Sequence, residues 1–501
     1  MQIAYQPKPS AAAVIAVLVS EGGKLGARAQ ALDATLGGAI ARAITAPAFK
    51  AKREQILELI APAKDGPRRV LVAGAGAPKE LNARNARGLG GAIAARLMAE
   101  HEPEADLLVD LPKATPLGEG ELAANLALGI RLRNYRFGKY QTKDKPDKPK
   151  LLAGATLVTS KTAEAKRLDL RLAAVAEGVH FARDLTNEPP NALYPEEFGA
   201  RMKAFAKLGV KVEVLDVAAM KKLGMGTILA VGGGSQRPPR LLVLQYNGSA
   251  KKSAKGTDGG PIAFVGKGVC FDAGGLCLKR PQGMVTMKGD MAGGAAVVGA
   301  MLALATRKAK VNAVGVVGLV ENLPSGTAYK PGDIVTTMSG RTIEVIDTDA
   351  EGRMVLVDAL YYTATRFKPR CIVDLATLTY AVSAAVGGAY AGIFCNEERL
   401  NKQLTAAGEA TGERLWRLPI DGYYDANLES GIADFRHHSA DDESADAAHA
   451  AALLKNFVED RPWAHLDIAS KEFTGKDKAL VPAGATGYAV ALLEEFAAGL
   501  E

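Results

Sequence analysis

The heptapeptide Asp347-Thr348-Asp349-Ala350-Glu351-Gly352-Arg353 constrains this chain more than any other stretch. It sets three carboxylates and a guanidinium between Ile343, Val345 and Ile346 on one side and Met354-Val355-Leu356-Val357 on the other. Acids at alternate positions of an extended segment point the same way. Three anions on one side of a strand end repel unless cations sit among them. Most such patterns are solvated acidic turns. The apolar flanks argue otherwise here, because carboxylates drawn into an interior must be paired or must coordinate a metal. The segment is a candidate metal site.

A second cluster lies upstream. A short apolar strand, Ile262 to Val265, runs into Gly266-Lys267-Gly268-Val269-Cys270-Phe271-Asp272-Ala273-Gly274-Gly275-Leu276-Cys277-Leu278-Lys279. Glycines flank Lys267 and follow Asp272, so backbone can approach a ligand closely there. Met284-Val285-Thr286-Met287-Lys288-Gly289-Asp290-Met291 follows and opens into small residues, Ala292 to Ala296. A glycine-rich loop with lysines could instead cradle phosphate, but the GxxxxGK[ST] spacing is missing.

Together these segments resemble the leucine aminopeptidase family, the cytosolic dinuclear-metal aminopeptidases. The similarity extends through Arg183-Asp184-Leu185-Thr186-Asn187-Glu188-Pro189, Glu321-Asn322-Leu323-Pro324-Ser325-Gly326-Thr327, Ala376-Thr377-Leu378-Thr379, Trp463-Ala464-His465-Leu466-Asp467 and Gly484-Ala485-Thr486-Gly487. It covers most of residues 175–495 in family order, whereas earlier residues match only around Tyr135-Arg136-Phe137 and Lys139-Tyr140. The resemblance implies that Lys267, Asp272, Asp290, Asp349 and Glu351 hold two divalent metals, Asp272 and Glu351 touching both. It implies that Lys279 and Arg353 are the catalytic cations, Lys279 polarising the scissile carbonyl and Arg353 holding a bicarbonate that relays protons. Met287 would wall the side-chain pocket, a role compatible with ordinary core. Thr377 and Leu378 would bind substrate backbone.

On that basis the activity expected is release of N-terminal, Leu-like hydrophobic residues from peptides by a hydrolase of the metalloprotease class. Four carboxylates balance two dications, and Lys267 can ligate only when neutral, which burial beside dications favours. Oxygen-rich ligands suit Mn or Mg, while the nitrogen ligand admits Zn or Co. The resemblance implies zinc in one site, an exchangeable ion such as manganese in the other, a cytoplasmic location and a homohexamer. A two-metal phosphoesterase and a DNA-binding scaffold retaining the fold are alternatives, since carboxylate-bridged metal pairs serve phosphoesters too.

Several positions depart from the family pattern. Asp347 stands where Asn is usual, Ala273 where Ser is usual, Tyr380 where Gly is usual and Tyr488 where Arg is usual. The stretch from Phe435 to Asp446 lacks the usual glycine-rich pattern. His437, His438 and His449 lie near acids there, but without tight ligand spacing they read as a solvated loop or helix face. His465, in an apolar strand, reads as a satisfied core histidine.

Composition sets wider bounds. The 501 residues allow two domains, and 48% hydrophobic with 23% charged residues fits a globular protein. Four cysteines make poor material for a disulfide framework and fit a reducing compartment. No apolar run reaches the roughly 20 residues of a membrane helix. Ala11 to Val19 is better explained as a strand than as a signal-peptide core, since little positive charge precedes it. Residues 131–150 hold eight Lys or Arg against two Asp, most of the net charge of +7. Their Pro-rich tail, Lys143 to Lys150, reads as a solvated loop, with nucleic-acid contact as the alternative.

Strand-like and helix-like runs alternate, implying an α/β fold. The expected organisation is a smaller N-terminal α/β domain (1–160), a linker helix (161–185) and a larger C-terminal α/β catalytic domain (186–501) with a central mixed sheet. In the latter, strands are expected at 211–215, 227–231, 241–245, 262–266, 312–319, 371–375, 391–395 and 464–468. Metal loops should follow strand ends, where open α/β sheets bind ligands.

Overall fold

The computed structural model describes residues 1–501 apart from 11, 63–65, 111–114, 144–147, 250–259 and 440–444. The middle of the basic tail, including Lys145, and much of the 435–446 departure therefore lie outside the described residues. The fold is α/β. The chain divides into two compact units, Met1–Ala176 with Thr474–Gly484, and Glu177–Phe473 with Ala485–Glu501. The division falls inside the helix Thr162–Asn187.

The first unit is built on strands β1 (Gln2–Gln6), β2 (Val14–Ser20), β3 (Lys24–Leu25), β4 (Ile56–Ala61), β5 (Arg68–Gly76), β6 (Glu104–Leu108) and β7 (Gly154–Val158). They form one sheet in the order β1-β7-β6-β2-β5-β4, with β3 on β2. The apolar run before Gly22 is strand β2. Val14, Ala16 and Leu18 enter one core and Ile15, Val17 and Val19 the other, so both faces are buried and the run shows no polar alternation. Two short helices follow, Ala27–Thr35 and Ala39–Ala43, separated where Gly37 and Gly38 take left-handed φ values of 61° and 79°.

The second unit carries a mixed sheet of strands β8 (Val210–Leu215), β9 (Arg240–Asn247), β10 (Ile262–Asp272), β11 (Asn312–Asn322), β14 (Cys371–Ala376), β15 (Ala391–Cys395), β16 (Leu415–Arg417) and β18 (Trp463–Asp467). Their order is β16-β15-β18-β14-β10-β11-β9-β8. A small sheet of β12 (Ile334–Thr336), β13 (Thr342–Glu344) and β17 (Phe435–Arg436) lies apart from it. Within the central sheet β11, β10, β14 and β18 are mutually parallel neighbours. Their carboxyl ends bring Asn322, Asp272, Thr377 and Asp467 to one edge.

Two expectations are corrected. Residues 227–231 are helical, within Gly226–Val231, rather than a strand. The carboxylate of Asp358 accepts hydrogen bonds from the Thr227 and Ile228 amides, at 2.9 and 3.3 Å, satisfying donors at the start of this turn. A short apolar run cannot reveal a partner so far along the chain. The glycine-rich stretch after Val265 is strand rather than loop, since β10 continues to Asp272.

Gly266 and Gly268 serve packing instead. A Cβ on Gly266 would fall 2.6 Å from Gly294 Cα, in the helix Ala292–Thr306, and one on Gly268 would fall 2.5 Å from Gly318 O of β11. The β10–β11 register shifts between Val269 and Phe271. Side chains five positions apart in a regular strand point to opposite faces, and this irregularity lets Lys267 and Asp272 join one cluster.

Gly266→Ala is therefore expected to destabilise the protein by roughly 2 kcal/mol, as overpacking against backbone does. Chemical denaturation measures it, and a loss below about 0.5 kcal/mol would contradict the packing account.

Candidate metal centre

The acidic heptapeptide is not an extended ladder. Asp347 is extended, Thr348–Ala350 forms a tight 3-10 turn, and Glu351 opens the helix Glu351–Phe367. The alternate-position geometry expected from the sequence is thus replaced by a cap, a turn and a helix start. Asp347 is the cap: its Oδ1 accepts the Asp349 amide at 2.8 Å. Asn could accept the same bond, so the departure at 347 keeps the local fold and changes the charge.

Thr348 fastens this turn to the segment after β10. Its hydroxyl donates to Gly274 O at 2.7 Å and accepts the Cys277 amide at 2.8 Å. Its carbonyl accepts from Asn322 Nδ2 and Tyr329 OH, both at 2.9 Å. Gly274 and Gly275 turn the chain with φ of 87° and 62°, a conformation a side chain would strain. Asn322 also donates to Asp272 Oδ1 at 2.8 Å, which fixes that carboxylate.

These contacts gather the expected ligands. Carboxylate oxygens of Asp272, Asp290 and Glu351 lie within 4.8 Å of one another, and all three residues are buried. Lys267 Nζ lies 2.9 Å from Asp290 Oδ1 and 2.8 Å from Glu351 Oε1. Lys279 Nζ lies 2.8 Å from Asp272 Oδ2 and 2.6 Å from Asp349 Oδ1, linking Asp349 to the group. Thr377 supports the group directly, its hydroxyl donating to Asp290 Oδ1 at 2.7 Å and its carbonyl accepting from Lys267 at 3.0 Å.

The charges do not balance within the protein. Burial and neighbouring carboxylates raise the pKa of Asp272, push that of Asp290 well up and lift Asp349 to about 6. Burial alone would lower the pKa of Lys267, but Asp290, Glu351 and Asp272 outweigh it and hold the ammonium protonated. The same competition raises Lys279. Asp290 Oδ2 and Glu351 Oε2 are buried without a hydrogen-bond partner. Unpartnered anionic oxygens in an interior are what a divalent cation satisfies. The donor set therefore fits metal ions, with Lys267 neutral when it ligates.

A cavity of about 350 Å³ opens onto the cluster. Met287, Leu378 and Tyr380 line it with Lys279, and Tyr380 is 71% exposed. Asp467 holds the Leu378–Thr379 segment in place. Its carboxylate accepts from the Leu378 and Thr379 amides, each at 3.1 Å, and from the Thr379 hydroxyl at 2.7 Å. His465 is half satisfied: Nδ1 lies 2.5 Å from Asp374 Oδ1, and Nε2 has no hydrogen-bond partner.

The other histidines correct the solvated-loop expectation. His437 and His449 are buried. His437 Nδ1 accepts the Ile346 amide at 3.1 Å, so its Nε2–H donates to Asp347 O at 2.6 Å. It clamps the segment that leads into the Thr348–Ala350 turn. Arg353 donates to His437 O at 2.9 Å through Nη1 and to Asp446 through Nη2. Among the described residues no histidine joins a group with metal-ligand spacing.

Residues 180–494 match the cytosol aminopeptidase family catalytic domain, and residues 16–144 match that family's N-terminal domain. The chain belongs to the cytosol aminopeptidase family. The N-terminal match reaches well beyond the few residues around Tyr135 that carried the resemblance there. A probable cytosol aminopeptidase from Bradyrhizobium sp. strain BTAi1 is 46% identical over 486 residues, covering 96% of this chain and 94% of the relative. Another from Rhizobium rhizogenes strain K84 is 47% identical over 471 residues, covering 93% and 92%. The solved bottromycin maturation enzyme BotP, described in complex with Mn, is 32% identical with a TM-score of 0.84, covering 98% of this chain and 100% of that one.

Burial pulls the pKa of His437 down to about 4 from 6.5. An unfolded chain protonates this ring below 6.5 while the folded one resists, so its stability is present above 6.5 and lost as pH falls toward 4. The loss amounts to about 3 kcal/mol. In urea denaturation, His437→Gln should be less stable than wild type at neutral pH and should lose less on acidification. A parallel pH dependence in the two proteins would refute the clamp.

Proposed function

We propose that this chain is an aminopeptidase that removes N-terminal, Leu-like hydrophobic residues from peptides by two-metal hydrolysis. Lys267, Asp272, Asp290, Asp349 and Glu351 are the metal ligands, and Lys279 and Arg353 the catalytic cations. The observation that carries this is the set of buried, unpartnered carboxylate oxygens of Asp290 and Glu351 in a cluster lining a cavity of peptide side-chain size. Membership in the cytosol aminopeptidase family supports the reaction class.

Divalent ions bound here would polarise the scissile carbonyl and lower the pKa of water. The protein's own groups do the rest. Lys279 has three N–H donors and contacts two carboxylates, which leaves one donor for an oxyanion developing on the substrate. Met287 and Leu378 offer apolar surface to the first side chain. The main chain at Leu378 and Thr379, fixed by Asp467, positions peptide backbone beside it. Tyr380 narrows the rim where a glycine would leave it open.

Zinc or manganese suits the mixed oxygen and nitrogen donors, and the manganese complex of BotP, a relative of similar fold, favours manganese in one position. A cytoplasmic homohexamer completes the proposal. No helix among the described residues is long and apolar enough to cross a membrane.

An aminoacyl-amide panel with Mn or Zn added, run beside a phosphate ester, tests the activity. Leucyl and other hydrophobic amides should turn over, chelation should abolish turnover, and the phosphate ester should remain intact. Lys279→Ala should lower kcat by roughly 10²–10³ with the circular-dichroism spectrum unchanged. A wild-type rate in that variant would mean the site is misplaced.

A further inference from the structure

Arg353 is almost wholly buried, and the family resemblance assigns it an anion taken from solution. In this chain its guanidinium already has an anion. Nη2 donates to a carboxylate oxygen of Asp446, the first residue of the helix Asp446–Lys455. The same oxygen lies 3.2 Å from His438 Nε2, whose other ring nitrogen lies 2.8 Å from Ser439 O. Both partners are acceptors, an arrangement that favours a hydrogen on each ring nitrogen, and the Asp446 carboxylate raises the pKa of this imidazole. Asp446 thus sits between the Arg353 guanidinium and the His438 ring. Arg353, His438 and Asp446 all line the cavity that holds the metal cluster.

An acid in the first turn of a helix is ordinary, because it complements the helix dipole. Asp446 does more, since its carboxylate is committed to two side chains on the cavity wall. It also falls within the stretch 435–446, where this chain departs from its family's glycine-rich pattern. Within that stretch Asp446 offers Arg353 a carboxylate.

We propose that Asp446 is a positioning residue that occupies the anion site of Arg353, so that this enzyme carries its own carboxylate there and needs no bicarbonate. A tethered carboxylate faces Arg353 at an effective concentration that a dissolved anion cannot match. Bicarbonate and Asp446 compete for one donor pair. The expected bicarbonate therefore does not fit this site as it stands.

This inference rests on the aminopeptidase reading, and its test separates the two. Metal-loaded wild type, Asp446→Gly and Asp446→Asn are assayed on leucyl amide in carbon-dioxide-depleted buffer, with and without bicarbonate or formate. Wild-type kcat should be indifferent to either anion. Asp446→Gly should lose roughly tenfold or more in kcat without added anion and recover most of it with one. Asp446→Asn preserves the shape at that position if the glycine variant folds poorly, and it should show the loss. Thermal unfolding gives a readout independent of turnover: bicarbonate and formate should raise the Tm of Asp446→Gly and leave wild type unchanged. Stimulation of wild type by bicarbonate would overturn the proposal. So would an Asp446→Gly variant that is fully active without anion or whose melting ignores both anions. A wild type inert toward every aminoacyl amide defeats the functional reading instead, and the melting experiment still decides who occupies Arg353.

Discussion

Three carboxylates buried in an apolar interior, with Asp349 half-buried beside them, are the constraint that this structure is organised around. Left alone they would repel, and desolvation would drive protons onto them, as the raised Asp272, Asp290 and Asp349 already show. Lys267 and Lys279 thread between them and hold the cluster together. The lysines leave oxygens of Asp290 and Glu351 without partners, and this imbalance defines the chemistry. A fully compensated cluster would be an inert buried network, whereas an under-compensated one binds cations.

Much of this was legible in the sequence, because the motif residues are local and their types are costly to bury. The α/β architecture followed from alternating runs, and most catalytic-unit strands stand where apolar segments predicted them. The failures share a cause. Helix Gly226–Val231 depends on Asp358, and the burial of His437 depends on Asp347, partners reached only through the fold. Residue spacing along one chain does not contain such pairings. The glycines around Lys267 suggest a ligand loop because glycine marks close approach, and it does, but the approaching groups are the backbone of a neighbouring helix at Gly266 and of strand β11 at Gly268.

The support around the centre comes from polar groups that satisfy backbone donors and acceptors at element ends. Asp467 secures the Leu378–Thr379 segment, Asp347 caps the Thr348–Ala350 turn, Thr348 ties it to Gly274, and His437 pins it from behind. Each contributes modestly. Together they fix donor positions on parallel strand ends and helix starts, where rigid elements hold geometry better than free loops.

The discontinuity of the first unit has a consequence for how the protein is made. Residues Thr474–Gly484 belong to it, with Asp477 paired to Arg133 and Gly91 packed so closely on Ala479 that a Cβ would meet its carbonyl. A ribosome must synthesise nearly the whole polypeptide before that piece emerges. The N-terminal sheet therefore waits, incompletely packed, through the synthesis of the entire catalytic sequence, and premature termination anywhere upstream of 474 leaves both units damaged rather than one.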